Sequence, residues 1–554
     1  MRLDPAVIRA ASSPRERLFW GMEHYDVTFR PEGRCVSIHG GVTLLEAAGQ
    51  AGIILNTVCG AMGICRKCEV LLLPGRRKVL ACQYRVESSL TVEVPVRSRF
   101  FEQQILHHGI DRRIAISPGI HEHLPELKGV DRLFGVAVDI GTTTVVAKLM
   151  DMASGECRAT AAAGNPQIPY GDDVVSRISY AEGPEGLGTL HRAIIGCLND
   201  LIAKLAAESG VEARHIYEMT VAGNTTMTHI LLKFPLRQLG QAPYRAYSTK
   251  AQDRNAGRMG IAINPRGNIH VIESIAGFVG SDITAVAVAV GMDEIDAMTL
   301  VVDIGTNGEI VLGTKEKMYA ASCAAGPALE GARISRGSRA VEGAIEAVFV
   351  CEGGGDIDVD VIGGGAARTI CGSGLIDAVS VLLELGLLDA TGRLLAKEEL
   401  AGKAAPAISG RLIERGGQPA FVLAGGTNDE GEAVVLTQKD VRETQLANAA
   451  IRAGIQLLQK KMGVTDADIE QVLLAGAFGN YIRRESALRI GLLPRVGVEK
   501  VHFVGNAAES GARMVLLSSE CRRLAADLAA RIQYVEIAHE PDFQSVFADA
   551  LMFG

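Results

Sequence analysis

Short apolar runs bounded by turn residues organise the first hundred residues of the chain. The alternation in these runs predicts strands, and the spacing TLLEAAGQAG at residues 43–52 predicts one helix. The predicted strands are residues 25–29, 34–38, 69–73, 78–81 and 90–96. Strands around a single helix in so short a span indicate a small mixed domain over residues 23–97.

A different pattern begins at residue 134. Apolar hairpins are followed by alternating strands and amphipathic helices, and this succession occurs twice, over residues 134–298 and 299–554. It predicts two α/β halves with a cleft between them. Residues 98–133 show no strong strand pattern and carry histidine, proline and charge, so we interpret them as a linker, and residues 1–22 as a polar N-terminal extension.

Composition narrows the classes of function. The 554 residues carry a net charge of −8 without a Lys/Arg-rich run, and Trp20 is the one tryptophan, so we expect no nucleic-acid partner and no membrane partner. No apolar span of about 18 residues appears, and the N-terminus MRLDPAVIRAASSPRERLFW lacks the apolar core of a signal peptide. We therefore expect a cytoplasmic protein.

Two copies of one motif mark the two halves. Residues 139–144 (DIGTTT) lie between the apolar runs 134–138 and 145–150, and residues 303–308 (DIGTNG) are framed in the same way. Each copy predicts a strand, a tight turn and a returning strand. The aspartate supplies a carboxylate, the glycine lets a bound group approach the backbone, and the hydroxyls suit phosphates and Mg2+. One such turn is also compatible with an ordinary hairpin, but two copies indicate a duplicated fold that closes around one nucleotide.

Four of the eleven cysteines form a cluster in the sequence. The spacing is Cys59-x5-Cys65-x2-Cys68, with Cys82 after a further thirteen residues. Thiolates on one loop with a fourth nearby can hold a 2Fe-2S cluster. Zinc also accepts four thiolates, although a zinc ribbon normally pairs two Cys-x2-Cys knuckles and this stretch has one. Structural cysteines are a third interpretation, and we assign the scattered ones, including Cys35, to packing.

Three further segments carry polar groups at predicted turns. AAGPALEGARISRG, residues 324–337, places Glu330 and Arg333 where they either face the cleft or remain solvated loop charges. GNTTMTH at residues 223–229 and TICGSGLID at residues 369–377 each predict either a helix N-terminus that meets an anion or an ordinary capped helix. We interpret Cys371 in the last segment as a packed residue rather than a nucleophile.

The cysteine stretch resembles the ferredoxin domain family. The resemblance rests on a predicted helix, then CGAMGICRKCEV at residues 59–70, then LACQ at residues 80–83. It implies a β-grasp ferredoxin-like domain that holds one 2Fe-2S cluster. The implied ligands are Cys59, Cys65, Cys68 and Cys82. The gap between the first two cysteines is adrenodoxin-like, and the short gap before Cys82 implies a trimmed loop that a turn at Pro74 and Gly75 bridges.

The paired motifs are similar to those of the acetate/sugar kinase, Hsp70 and actin superfamily over residues 134–554. This resemblance implies an α/β protein with a duplicated actin-like (RNase H-like) ATPase fold that binds ATP and Mg2+. It makes Asp139, Asp303 and Glu330 the candidate catalytic residues, the two aspartates near Mg2+ and the glutamate positioning water or a partner. LLAGAFGNYI at residues 473–482 is similar to the adenosine loop. The candidate nucleotide-binding residues are Gly141, Thr142, Thr143, Gly305, Thr306, Asn307, Gly372, Gly374, Gly476 and Ala477.

The order of these parts resembles the reductive activators of corrinoid proteins, in which a 2Fe-2S domain and a linker precede two actin-like domains. That resemblance implies an ATPase-coupled electron-transfer protein that converts an inactive Co(II) corrinoid to Co(I) for methyl transfer. The expected partners are the corrinoid protein of a methyltransferase or demethylase system and a low-potential electron donor, and a homodimer is compatible with the fold. Two alternatives stay open: an activator of a radical enzyme of the 2-hydroxyacyl-CoA dehydratase kind, and a non-catalytic redox-responsive ATP-binding module.

Overall fold

The computed structural model describes residues 24–30, 33–51, 53, 55, 68–95, 112, 114–130, 132–171, 173–305, 307–331, 333–351, 353–400, 404–426, 433–476 and 482–554. These residues form two compact units that divide near residue 104. Among them, no helix is long and apolar enough to cross a bilayer. The predicted N-terminal extension lies outside the described residues.

The first unit is a sheet with one helix against it. Its described elements are β1 His24–Arg30, β2 Arg34–His39, α1 Leu44–Gln50, β3 Glu69–Leu73, β4 Arg77–Leu80 and β5 Leu90–Glu93. The strands lie in the order β2-β1-β5-β3-β4, in which β1 and β5 are parallel and the other pairs are antiparallel. Val27 and Phe29, at alternate positions of β1, are fully buried, and so are Leu44 and Ala47 on one face of α1. This arrangement confirms the predicted β-grasp ferredoxin-like fold.

The second unit consists of two halves that follow each other along the chain. The elements described in the first half are α2 Ile120–His123, β6 Phe134–Ile140, β7 Thr144–Asp151, β8 Cys157–Gly164, α3 Val174–Ala181, α4 Gly186–Ser209, β9 Ile216–Gly223, α5 Thr225–Leu232, β10 Gln252–Asn255, α6 Ala256–Met259, β11 Asn268–Val271 and α7 Ser281–Val290. Those described in the second half are β12 Thr299–Ile304, β13 Gly308–Thr314, β14 Lys317–Cys323, β15 Ala344–Val350, β16 Ile357–Val361, β17 Thr369–Ile370, α8 Gly372–Glu384, α9 Pro406–Gly410, β18 Leu412–Arg415, β19 Gln418–Ala424, β20 Val434–Thr437, α10 Gln438–Met462, β21 Gln471–Ala475, α11 Arg484–Arg489, β22 Val501–Gly505, α12 Ala507–Leu517, α13 Ser519–Arg531, β23 Ile532–Tyr534 and α14 Phe543–Ala550.

The same strand order occurs in the main sheet of each half. The first sheet runs β10-β11-β9-β6-β7-β8, and the second runs β22-β21-β12-β13-β14-β23. In the first, β6 pairs antiparallel with β7 and parallel with β9, and in the second, β12 pairs in the same way with β13 and β21. Apart from the edge strands β10 and β23, the two orders are equivalent strand by strand. This repetition confirms the predicted duplicated actin-like ATPase fold.

Two equivalent helices lie in the core that the sheets share. α7 follows β11 and α12 follows β22, so each comes after the corresponding strand of its half. A Cβ atom at Gly511 of α12 would lie 1.9 Å from the carbonyl oxygen of Ala285 in α7, so the two backbones are in close contact. Ala137 of the first sheet and Val301 of the second belong to the same buried cluster as these helices. The two halves therefore pack as one body.

The described part of the predicted linker is folded onto the second unit. Ser117 N donates a hydrogen bond to the carbonyl oxygen of Leu517 at 2.9 Å, and Ser519 N donates to that of Ser117 at 2.8 Å. Ile120 and Leu127 are buried in the cluster that contains α7 and α12. Because apolar side chains of this segment enter the core, the described part of the predicted linker is part of the second unit instead of being solvated.

Candidate functional site

A cavity of about 410 Å³ lies between the two halves of the second unit. Its volume is in the range of small-molecule sites. Asp139 at the end of β6 and Asp303 at the end of β12 both line it. The other predicted residues that line it are Gly141, Thr142, Thr143, Gly305, Asn307, Glu330, Gly372 and Gly476. Thr306 and Ala477 lie outside the described residues.

Both predicted phosphate turns are tight backbone turns at the ends of their strands. Gly141 N donates to the carbonyl oxygen of Thr144 at 2.9 Å, and Gly305 N donates to that of Asn307 at 3.0 Å. A Cβ atom at Gly141 would lie 2.7 Å from the Thr144 carbonyl oxygen. The first turn therefore needs glycine for its own closure, in addition to any approach by a bound group.

Side chains of the first half hold the first turn by its carbonyl oxygens. Asn165 Nδ2 donates to the carbonyl oxygen of Gly141 at 2.8 Å, and Arg177 Nη2 donates to that of Thr142 at 2.6 Å. The Arg177 side chain is fully buried, and a charge-assisted hydrogen bond in such surroundings is stronger than one in water. These two hydrogen bonds hold the backbone of the first turn in its conformation without a bound ligand.

The segment 223–229 caps a helix and contacts the first turn at the same time. Asn224 Oδ1 accepts a hydrogen bond from Met227 N at 3.0 Å, which caps α5. Asn224 Nδ2 donates to Thr142 Oγ1 at 2.9 Å. The structure therefore shows the helix cap in this segment, and the capping residue also lines the cavity.

Acidic side chains from both halves converge in the cavity. Burial raises the pKa of Asp139 to about 7, although a hydrogen bond from Asn506 Nδ2 at 3.0 Å opposes the change. Burial, reinforced by the charge of Asp139, raises the pKa of Asp303 to about 7. Burial and neighbouring carboxylates also raise the pKa values of Asp282 and Glu309. The cavity thus favours a cation, because a cation lowers the cost of ionising this cluster.

The acidic cluster fits a hydrated Mg2+ better than a metal held by protein ligands alone. Within the described residues, no three His, Cys, Asp or Glu side chains are arranged to ligate one metal ion. In nucleotide sites, Mg2+ keeps several waters and takes one or two carboxylates together with phosphate oxygens. Asp139 and Asp303, one from each half, are placed for that kind of binding.

A hydrogen bond crosses the cavity from one half to the other. Thr143 Oγ1 in the first turn donates to Glu330 Oε2 at 3.1 Å. Glu330 ends the short 3-10 turn Pro327–Glu330 of the second half. This predicted carboxylate therefore reaches the phosphate turn. Arg333 of the same segment is exposed and does not belong to the described residues that line the cavity.

The glycines predicted to bind nucleotide have different surroundings. Gly372 begins α8 and lines the cavity, as does Gly476, where φ is +94° and a Cβ atom would lie 2.7 Å from Asp303 Oδ1. A Cβ atom at Gly374 would lie 2.3 Å from the carbonyl oxygen of Ile345. Gly374 thus lets α8 pack closely on β15, which explains this glycine by packing rather than by contact with a nucleotide.

Two of the predicted cluster ligands lie side by side in the first unit. Cys68 directly precedes β3 and Cys82 follows β4 by two residues; both are buried, and their Sγ atoms are 3.3 Å apart. The β3–β4 hairpin brings them together across the short gap in the sequence. Because metal–sulfur bonds are about 2.3 Å long, two sulfurs at this distance can ligate one centre. Cys59 and Cys65 lie outside the described residues.

Comparisons with known proteins match each part of the chain. Residues 27–87 match the 2Fe-2S iron-sulfur cluster binding domain, residues 134–295 the RACo middle region, and residues 297–554 the C-terminal domain of RACo, the ASKHA domain. A corrinoid activation enzyme of Eubacterium limosum is 34% identical over 573 aligned positions, which cover 92% of this chain and 96% of that relative. The chain belongs to this family of corrinoid activation enzymes.

One further relative and one solved structure are also similar to this chain. A Co(II) methylated amine-specific corrinoid protein reductase of Methanosarcina barkeri is 25% identical, with 70% of each chain covered. A solved reductive activator for corrinoid, iron-sulfur protein has 31% identity and a TM-score of 0.70, covering 96% of this chain and 98% of its own. The shared fold therefore extends over nearly the whole chain.

In this member of the corrinoid activation family, the cavity also contains polar residues that no motif marked. Asp282 lies in the first turn of α7, and Asn506 directly precedes α12. Gly280 and Gly505 before them mark strand-to-helix corners in the sequence, and the corners occupy equivalent places in the two halves. The equivalent places of these two corners are the feature of the sequence that could have identified Asp282 and Asn506. Glu309, the second residue of the returning strand β13, carried no such signal.

Proposed function

We propose that this protein uses ATP to activate a corrinoid protein reductively, passing one electron that converts its inactive Co(II) corrinoid to Co(I). One observation carries the proposal: both phosphate turns meet in one cavity, in a chain that aligns over nearly its whole length with a corrinoid activation enzyme. A ferredoxin domain and an ATPase fold in one chain supply the two parts that such a reaction requires. They are a one-electron carrier and a nucleotide-dependent step.

The first unit provides the place for the electron carrier. A 2Fe-2S cluster, when bound, supplies one-electron transfer at low potential. Cys68 and Cys82 would hold it from the two ends of the β3–β4 hairpin, with Cys59 and Cys65 as the other expected ligands. Cys68 is 1% exposed and Cys82 is 7% exposed, so water has little access to these sulfurs.

The second unit provides the nucleotide site. Asp139 and Asp303 would face the Mg2+ of a bound nucleotide, directly or through water, and the hydroxyls and backbone of the two turns would bind its phosphates. Thr143 donates its hydroxyl to Glu330 across the cavity. An arriving phosphate competes with that carboxylate for the same hydroxyl, so phosphate binding is coupled to a contact between the halves.

The nucleotide step has an energetic purpose. The reduction potential of a plant-type 2Fe-2S cluster is about −400 mV, and Co(I) formation requires a very low potential. Each 100 mV of uphill one-electron transfer costs about 2.3 kcal/mol. Preferential binding of the reduced corrinoid protein offsets this cost. Binding or hydrolysis of ATP then separates the two proteins and resets the activator.

An anaerobic assay tests the proposal. The purified protein is mixed with a low-potential reductant, Mg-ATP and a corrinoid protein from the same organism, and the Co(I) absorption is followed. We expect Co(I) to form at a rate that depends on ATP. Absence of Co(I) under all conditions would refute the proposal, and formation at the same rate without ATP would refute the nucleotide-dependent step.

Three expectations about the cellular setting remain predictions. They are a low-potential electron donor, a homodimer and a cytoplasmic location. Reduction of the cluster by candidate donors, followed by electron paramagnetic resonance, tests the first. Sedimentation of the purified protein tests the second, and fractionation of cells tests the third.

A further inference from the structure

Arg339 reaches the nucleotide cavity from the loop that joins Glu330 to β15. Its side chain is among those that line the cavity. A Cβ atom at Gly164 would lie 3.9 Å from Arg339 Nη1, so the guanidinium of the second half lies against the first half. Gly164 pairs with Thr144, which ends the first phosphate turn, in the β7–β8 ladder. The guanidinium is therefore beside the first phosphate turn.

Backbone contacts within the loop and to β17 hold the loop that carries Arg339 in place. Ser338 N donates a hydrogen bond to the carbonyl oxygen of Ile370 in β17 at 2.9 Å. A Cβ atom at Gly337 would lie 1.8 Å from the carbonyl oxygen of Gly331, so the loop closes on itself at a point where only glycine fits. These contacts fix the backbone from which Arg339 extends.

The charge of Arg339 distinguishes it from the other residues of the cavity. Among the described lining residues it is the one basic side chain, and six are acidic. The acidic residues are Asp139, Asp282, Asp303, Glu309, Glu330 and Glu346. Within the described part of the chain, the guanidinium makes no hydrogen bond or ion pair with another side chain. Among the described residues, a polyphosphate entering this acidic cavity therefore meets one basic side chain, which lies beside the first phosphate turn.

We propose that Arg339 binds the phosphate groups of the nucleotide and makes the site prefer nucleoside polyphosphates over nucleosides. This inference rests on the proposed nucleotide function of the cavity. The planar guanidinium can donate two parallel hydrogen bonds to phosphate oxygens, and such charge-assisted bonds are among the strongest in proteins. Arg333, an exposed arginine of the same loop that does not line the cavity, provides the matched control.

Calorimetric titration of the full-length protein with Mg-ATP and with adenosine tests the inference. We expect Arg339→Gln to weaken ATP binding about ten- to hundredfold, the range for a lost hydrogen bond to a charged group, and to leave adenosine binding unchanged. Arg339→Lys should recover part of the ATP affinity, because an ammonium restores the charge without the fork. Arg333→Gln should bind both ligands as the wild type does.

Each contrary result has a defined meaning. If Arg339→Gln binds ATP as tightly as the wild type, the inference is wrong. If it loses ATP and adenosine affinity equally, Arg339 shapes the cavity instead of binding phosphate, and the inference is again wrong. If the wild type binds no ATP, the proposed nucleotide function fails together with the inference, which separates that failure from the first two.

Discussion

Replacing Asp139 by asparagine removes a buried negative charge while keeping the size of the side chain and an acceptor for Asn506. Burial raises the pKa of Asp139 from 3.8 to about 7. A carboxyl group whose pKa is higher in the folded than in the unfolded state destabilises the fold when it ionises. The destabilisation begins as pH rises above the pKa of the unfolded state and reaches its full size above the pKa of the folded state. At about 1.4 kcal/mol for each pH unit, the destabilisation is roughly 4 kcal/mol at pH 8 and roughly 2 kcal/mol at pH 5.

We therefore expect Asp139→Asn to unfold at a higher temperature than the wild type when no nucleotide is present. The gain should be larger at pH 8 than at pH 5, because the wild-type carboxylate is ionised at the higher pH. The same substitution should abolish ATP-dependent Co(I) formation, because the charge that faces Mg2+ is gone. Stability and activity thus change in opposite directions, which a merely structural residue would not do.

Thermal unfolding followed by circular dichroism at the two pH values measures the first effect, and the anaerobic Co(I) assay measures the second. Asp200→Asn, at an exposed position of α4, is the matched control and should alter neither. If Asp139→Asn were less stable than the wild type at pH 8, the electrostatic reasoning would be refuted. Loss of iron from the variant would show instead that Asp139 supports folding.

Three further predictions concern a cluster ligand, the packing of two helices and the pH dependence of nucleotide binding. Cys82→Ser should lose iron and sulfide while ATP binding persists, and an unchanged iron content would exclude Cys82 as a ligand. Gly511→Ala should destabilise the second unit by about 1–3 kcal/mol, because its Cβ would lie 1.9 Å from the Ala285 carbonyl oxygen. A Cβ atom at Gly196 would have nothing within 4 Å, so Gly196→Ala should be neutral or stabilising. Equal urea midpoints for Gly511→Ala and Gly196→Ala would contradict this packing account. Mg-ATP affinity should fall as pH drops through about 7, where Asp139 and Asp303 become protonated, and titrations in which neither Asp139→Asn nor Asp303→Asn alters this pH dependence would rule out that cause.

The motifs that the sequence predicted correctly are local. The strands around Asp139 and Asp303 form as expected, and the glycine turns follow them, because a hairpin depends on residues that are neighbours in the chain. The β-grasp fold could be predicted for the same reason, from alternating apolar residues around one helix. Cys82 was also identified correctly as a neighbour of Cys68, because a hairpin of known length lies between them.

The sequence did not predict every residue that the loops contribute to the cavity, and Arg339 is the example. The sequence pointed to Arg333 as the basic residue of its loop, whereas Arg339 lines the cavity. The direction of these side chains depends on how the loop closes between Gly331 and Gly337 and on its bond to β17. Neither feature leaves a periodic or compositional pattern.

Local patterns were sufficient to predict the two kinds of fold, the duplication and the residue types of both sites, because strand alternation, helix spacing and turn chemistry act over a few residues. The hydrogen bond from Asn506 to Asp139, the contact of Thr143 with Glu330 and the burial of Ile120 from the predicted linker became visible only in the folded chain. These contacts join residues from distant parts of the chain. The raised pKa of Asp139 follows from them, since burial and neighbouring charges exist only once the two halves have packed.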